Sequence, residues 1–292
     1  VKFWPAVLLG VVFAGCGSVA APAPEPRPPA PKAVALDGLP PKVGMYDELV
    51  RRAREEDRRR RAQIAAARRS PTVEAALRVA RLTGRITPAA ERRLRREWAG
   101  ANRTLTTLTG VRRTELAYVV QSIRSLAAQH ALTADRIDPT FLILRTNARF
   151  WPRAVIPAAG WRTGNPEIFQ YYPGRGLQLQ PLASWGRANA LANACLTALR
   201  SRTTKDRCRS AALTRSLDRL ADLGARRSGY LAWEYYFAYG SGSPPWVSGM
   251  AQATAVQALA RGHRALGVKR WRRAADRALG AFEQPPPSGV RV

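Results

Sequence analysis

Residues 233–262 read WEYYFAYGSGSPPWVSGMAQATAVQALARG. Four aromatic side chains fall between Trp233 and Phe237, Tyr239 follows, and the chain then turns through Gly240-Ser241-Gly242-Ser243. Pro244-Pro245-Trp246 is a stiff connection, because each proline fixes φ and removes a backbone donor. Ser248 then stands where an N-cap belongs, ahead of Gly249, Met250 and Ala251 in a first turn. Alanines at 251, 253, 255, 258 and 260 make the following helix small-sided enough to pack closely as an inner element. Gln252 is polar on that apolar element and meets either a ligand or a neighbouring backbone group. Aromatic clusters at this spacing more often form core than ligand platforms. Here tyrosine and tryptophan edges, paired glycines and a helix start, whose free N–H groups favour an anion, point to a carbohydrate-facing surface.

A second stretch shares this character. Phe169-Gln170-Tyr171-Tyr172-Pro173-Gly174-Arg175-Gly176 runs into the helical pattern LQLQPLASWGRANAL. Around the two stretches the periodicity predicts helices over Thr72–Leu82, from Thr87-Pro88 to near Trp98, over Arg112–Ala131, and over Leu177–Arg200 and Asp206–Leu223. Further helices are predicted over Ser248–Leu266 and Lys269–Phe282. Thr133 caps a short helix and Asp138-Pro139 opens another. Residues 152–176 break the helical pattern, and Gly229–Tyr239 reads as extended. Repeated helical hairpins with aromatic loops predict an all-α fold, an incomplete α/α toroid.

The chain has 292 residues and a net charge of +28, with 48 basic side chains of which five are lysine. The arginines are spread through alanine-rich helices, with no zinc spacing and no basic region leading into heptads, so no nucleic-acid partner is expected. Such a surface attracts an acidic polysaccharide in a salt-dependent way. Residues 1–18, VKFWPAVLLGVVFAGCGS, combine Lys2 with an apolar run shorter than the ~20 residues that span a bilayer. They read as an export signal ending in a lipobox-like Ala14-Gly15-Cys16, with Cys16 as the lipidation site. Residues 19–44 form an Ala/Pro-rich linker, and 45–139 a basic helical region whose first part, Met45–Arg69, is a solvated helix or interaction arm. The expected location is a bacterial cell envelope, anchored to its membrane through lipid, or otherwise the exterior.

Cys195 and Cys208 flank a turn at Ser201–Lys205. In an exported protein they form either a disulfide or two buried free thiols. His130 and His263 are too isolated for a metal site or for a Ser–His–Asp arrangement.

The segment SPPWVSGMAQATAVQALARG closely resembles W-x-S-G-M-A-Q-G-x-A-x-x-x-L-x-R-A in the C-terminal domain of D-glucuronyl C5-epimerases. YYPGRGLQLQPLASWGRAN is similar, more loosely, to an upstream segment of that family, so the resemblance covers residues 140–292. Ala253 stands where the family prefers glycine, and Gly262 where it prefers alanine. The resemblance implies an isomerase that needs no cofactor and inverts C5 of a uronic acid within a polysaccharide. A base removes a proton beside the carboxylate and an acid returns one from the opposite face, while a cation or N–H group steadies the carboxylate. The substrate-binding candidates are Tyr171, Tyr172, Arg175, Tyr235, Tyr236, Tyr239, Trp246, Ser248 and Gln252. The family's acid/base segments follow the SGMAQ helix, and this sequence, which runs to Val292, matches none of them. It therefore reads as a truncated form, with no catalytic residue carried over. The alternatives are an acidic-glycan-binding lipoprotein without turnover, or another α/α-toroid enzyme such as a lyase or glycosidase. For a glycosidase, Glu167 and Glu234 are the only acids in the aromatic stretches.

Overall fold

The computed structural model describes residues 43–201, 208–240 and 242–290. The export signal, Cys16, nearly all of the linker, and Ser241 lie outside the described residues. Residues 52–292 form one compact unit, and 43–51, the first turns of α1, fall in a separate one.

The chain is mostly helical. Among the described residues the helices are α1 (Val43–Arg69), α2 (Val73–Leu82), α3 (Pro88–Thr107), α4 (Gly110–Ala128), α5 (Ala134–Phe150), α6 (Pro181–Arg200), α7 (Ser210–Asp222), α8 (Gly249–Leu266) and α9 (Lys269–Leu279). Three starts are written locally. The hydroxyls of Thr72, Thr87 and Ser248 accept hydrogen bonds from the N–H groups of Ala75, Ala90 and Ala251, which satisfies donors that a helix leaves orphaned.

Two helices differ from expectation. Helix α3 runs on past Trp98 to Thr107, because Trp98 and Ala101 share one buried stripe. Thr133 stands at the N-cap of α5, without a side-chain cap hydrogen bond, but Asp138-Pro139 opens no second helix; α5 passes through Pro139. A proline there removes one helical hydrogen bond. Pro139 is buried with Ile137, Phe141 and Leu144 on the same helix, and it borders a small crevice with Leu179, Pro181, Trp185 and Trp233.

Short strands interrupt the helices, so the fold is not purely α. β1 (Arg162–Thr163), β2 (Phe169–Tyr172) and β3 (Gly176–Leu179) form an antiparallel sheet; β4 (Ala225–Arg227) pairs with β5 (Tyr230–Ala232), and β6 (Glu234–Tyr235) with β7 (Trp246–Val247). Leu177–Leu179, expected as helix, is therefore strand, and α6 begins only at Pro181, with the Gln180 side chain as its cap. Gly176 adopts φ +75°, a left-handed conformation that closes the β2–β3 turn. The Gly229–Tyr239 segment is extended through β5 and β6.

One apolar core runs from Val73 on α2 to Ala278 on α9, with Trp151, Trp185 and Trp271 fully buried. The basic helical region and the C-terminal part therefore share a core. Alanines at 188 and 192 on α6 and at 255 and 258 on α8 are buried, and these two helices are closely packed. Gly262 ends this stripe, because a Cβ there would meet Leu217 Cδ1 at 2.2 Å. The departure from alanine at this position thus has a steric reason.

Cys195 on α6 is joined to Cys208 by a disulfide that closes a loop of sequence separation 13. Closing a loop of this size removes roughly 3 kcal/mol of unfolded-chain entropy. Reduction, or Cys208→Ser, is expected to lower the unfolding free energy by about 2–3 kcal/mol, read as a lower urea midpoint. An unchanged midpoint would contradict it.

Candidate functional site

The site is built on the β2–β3 hairpin, and two buried polar side chains hold that hairpin. Glu115 on α4, 1% exposed, accepts three hydrogen bonds: from the Tyr171 hydroxyl at 2.8 Å, the Gly174 N–H at 2.8 Å and the Gly176 N–H at 2.6 Å. Asn147 on α5 donates to the carbonyls of Ile143 and Leu177 and accepts from Leu177 N–H and Trp151 Nε1. The turn is thereby fixed against two helices, with its outer residues Tyr172 and Arg175 left at the surface. Neither Glu115 nor Asn147 stands out in the sequence. Glu115 looks like one more charge on a helix start, and only the fold brings the turn's N–H groups to it.

The second wall comes from β6, β7 and the turn between them. Trp246 lies flat on Tyr235, with ring centroids 4.2 Å apart and planes 8° from parallel. Its Nε1 donates to the Phe237 carbonyl at 2.7 Å. Tyr239 and Gly242 exchange backbone hydrogen bonds, which tightens the loop tip and lifts Tyr239 to 54% exposure. Tyr172 bridges the two walls, 4.6 Å from the Phe237 ring and 5.8 Å from Tyr239. The Arg175 guanidinium lies 5.9 Å from the centre of the Tyr239 ring, within cation–π range. Tyr172, Arg175, Tyr239 and Trp246 therefore share one surface. Ser248 follows Trp246, but its hydroxyl is engaged in capping α8.

Four of the expected binding residues are buried. Tyr171 alternates to the inner face of its strand and bonds to Glu115. Tyr236 is buried with its hydroxyl on Glu234 at 3.3 Å. Gln252 is fully buried: its amide donates to the carbonyls of Leu231 and Ala278, and its oxygen faces the Trp233 N–H. It bonds backbone, not ligand, and ties β5 to α8 and α9. Tyr235 is buried as well, beneath Trp246, and its hydroxyl donates to Gln180 at 3.2 Å. Strand alternation turns Tyr171 inward, whereas every residue of 230–237 is buried whichever way it faces, and Gln252 lies on the buried side of α8.

The two acids of the aromatic stretches are held by arginines. Glu234, with no side-chain exposure, receives both ends of the Arg136 fork at 2.6 and 2.8 Å and Arg227 Nη1 at 2.8 Å. Arg227 also donates to the carbonyls of Pro245, Pro287 and Ser288. Glu167 pairs with Arg219. Neither carboxylate is presented to a sugar as one of a facing pair, so the glycosidase alternative loses its residues.

Burial, reinforced by the hydrogen bond to Glu115, pushes the Tyr171 hydroxyl up to about 12, and burial, partly offset by the hydrogen bond from the Leu182 N–H, takes Tyr235 to about 12. Tyr172 and Tyr236 are also raised, chiefly by burial. At neutral pH these phenols are neutral hydrogen-bonding groups, not proton acceptors. Arg162 and Arg175 act in the opposite direction on Tyr172. Arg162 on β1, which the sequence reading did not single out, lies opposite Gln170 and donates to it at 2.7 Å, on the face of the hairpin that carries Tyr172.

Glu115→Gln replaces an acceptor of three hydrogen bonds by a group with one acceptor oxygen. It is expected to cost about 1–3 kcal/mol, measured by chemical denaturation; an unchanged stability would remove Glu115 as the support of the hairpin. A pH effect follows from the tyrosines. An unfolded tyrosine ionises near its ordinary value of 10.0, whereas Tyr171 and Tyr235 hold their protons to about 12. The unfolded chain thus loses protons first, so their stabilisation is complete below pH 10 and is lost as pH rises towards 12. Unfolding curves collected from about pH 9 upward should show this decline, with a shallower slope in Tyr235→Phe.

Residues 227–291 match the model of a family described as D-glucuronyl C5-epimerase C-terminus. No curated protein and no solved structure matches the chain significantly. The match includes β6, β7, the aromatic loop and α8, and does not reach the Phe169–Gly176 hairpin. It begins at Arg227, whose side chain holds Glu234, Pro245, Pro287 and Ser288 together inside the same segment. Over residues 227–291, the SGMAQ helix and the aromatic strand before it are similar to the D-glucuronyl C5-epimerase C-terminus, as the motif by itself implied.

Proposed function

We propose that this chain is a D-glucuronyl C5-epimerase-like protein that engages uronic acid residues of an acidic polysaccharide. The observation that carries the proposal is the shared surface of Tyr172, Arg175, Tyr239 and Trp246. Aromatic faces suit the C–H faces of a sugar ring, and a guanidinium suits a carboxylate. The family match on the segment bearing two of these residues supports a uronate as the sugar.

Two outcomes of engagement are distinct. In the first, C5 of a bound uronate is inverted through proton abstraction and return. In the second, the chain binds the acidic glycan without turnover. Of Tyr171, Tyr172, Tyr235 and Tyr236 only Tyr172 is not buried, and its raised hydroxyl is neutral at neutral pH, a state that suits returning a proton or bonding a sugar rather than removing a proton. We place the protein in an exported, lipid-anchored setting, supported by the sequence around Cys16 and by the Cys195–Cys208 disulfide, which suits an oxidising compartment.

Binding to a glucuronate polymer, with solvent deuterium incorporation at C5 measured on the same samples, tests the proposal. Salt-sensitive binding that exceeds binding to a neutral glucan is expected, and Tyr239→Ala should weaken it about fivefold, roughly 1 kcal/mol. Deuterium at C5 identifies turnover; binding without it identifies the glycan-binding form. Equal affinity for the neutral glucan would overturn the acidic-glycan reading.

A further inference from the structure

Most of the arginines that reach inside this protein are matched by acids. Arg136 and Arg227 share Glu234, and Arg219 holds both Glu167 and Asp138. Arg162, which is exposed, and Arg175, which is half-buried, have no carboxylate partner among the described residues. The nearby loop does contain an acid, Glu167, but its carboxylate goes to Arg219.

The strand register decides where Arg162 stands. Arg162 lies opposite Gln170 across the β1–β2 pair, and Gln170 shares a face with Tyr172, two residues further along. Arg162 Nε donates to Gln170 Oε1 at 2.7 Å. That bond orients the guanidinium, and among the described residues its two terminal nitrogens have no hydrogen-bond partner, which leaves the edge that takes a carboxylate in a two-point contact. Tyr172, on the same face, reaches the Phe237 and Tyr239 rings, and Arg175 lies over Tyr239.

We infer that Arg162, oriented by Gln170, is a specificity-determining residue that takes the carboxylate of a uronate unit held against Tyr172 and Tyr239. The inference rests on the acidic-glycan reading and deepens it by naming the group recognised. A sulfate ester on a sugar offers the same anionic oxygens, so the test separates the two sources.

Binding of the full chain to a glucuronate polymer is compared with binding to the same polymer after carboxyl reduction, and to a sulfated neutral glucan. The variants are Arg162→Ala, Arg162→Lys, and Arg273→Ala on the exposed face of α9 as a charge control. Arg162→Ala should lower affinity for the glucuronate polymer about tenfold and leave the carboxyl-reduced polymer unchanged, so that the preference collapses. Arg162→Lys should restore part of it, and Arg273→Ala should alter it far less. A preference retained in Arg162→Ala, or a loss no greater than in Arg273→Ala, overturns the inference alone. Arg162-dependent binding of the sulfated glucan that equals that of the glucuronate polymer overturns the carboxylate assignment. Equal binding of native and reduced polymer by the unaltered chain overturns the acidic-glycan reading and the inference with it.

Discussion

A carboxylate with no exposure holds the C-terminal part of this protein together. Glu234 accepts both ends of the Arg136 fork from α5 and one nitrogen of Arg227 from β4. Burying a charge is costly unless it is paired and fully hydrogen-bonded, and here three elements meet to satisfy it. Arg227 then spends its remaining donors on the carbonyls of Pro245, Pro287 and Ser288. The loop that aims Trp246 and the chain segment after α9 are thus tied to the same charge. Removing either partner would leave the other buried without compensation, which is why the aromatic surface rests on an ionic junction it does not touch.

A second polar support acts from the other side. Glu115 and Asn147 hold the β2–β3 turn as Glu234 holds the β6–β7 loop. In both places buried polar groups position the backbone, and exposed side chains on that backbone face outward. The aromatics divide accordingly. Tyr171, Tyr235, Tyr236 and Phe237 pack inward, while Tyr172, Tyr239 and Trp246 form the accessible face. The accessible face is thus the minority of the aromatic cluster, and the majority packs beneath it.

The arginine excess has two meanings in this structure. Much of it is solvated, as on α9 and along α1, where residue after residue is exposed. A smaller set is built into ion pairs that cross between elements. Arg162 is exposed yet oriented by Gln170, and Arg175 is half-buried beside Tyr239; neither has an acid partner among the described residues. An unmatched pair of cations beside neutral phenols is suited to an anionic sugar, and its attraction weakens with salt.

The sequence by itself determined most of the helices and the starts of α2, α3 and α8. Caps such as Thr72, Thr87 and Ser248 act on an N–H three residues away, and buried stripes repeat within one helix, so both are legible in a short window. It also determined the SGMAQ signature and the aromatic stretches on which the site is built. Only the tertiary structure decided which aromatics face outward, that Pro139 lies inside a helix, and that Gln252 serves backbone. It alone brought Arg136 to Glu234, 98 residues away, and Glu115 to the hairpin turn 59 and 61 residues on. Arg162 came to the site in the same manner, through the pairing of a two-residue strand with Gln170. The physical reason is range: a cap or a periodic stripe is satisfied by its own neighbours, whereas a buried charge and a strand edge take partners that only the folded core supplies.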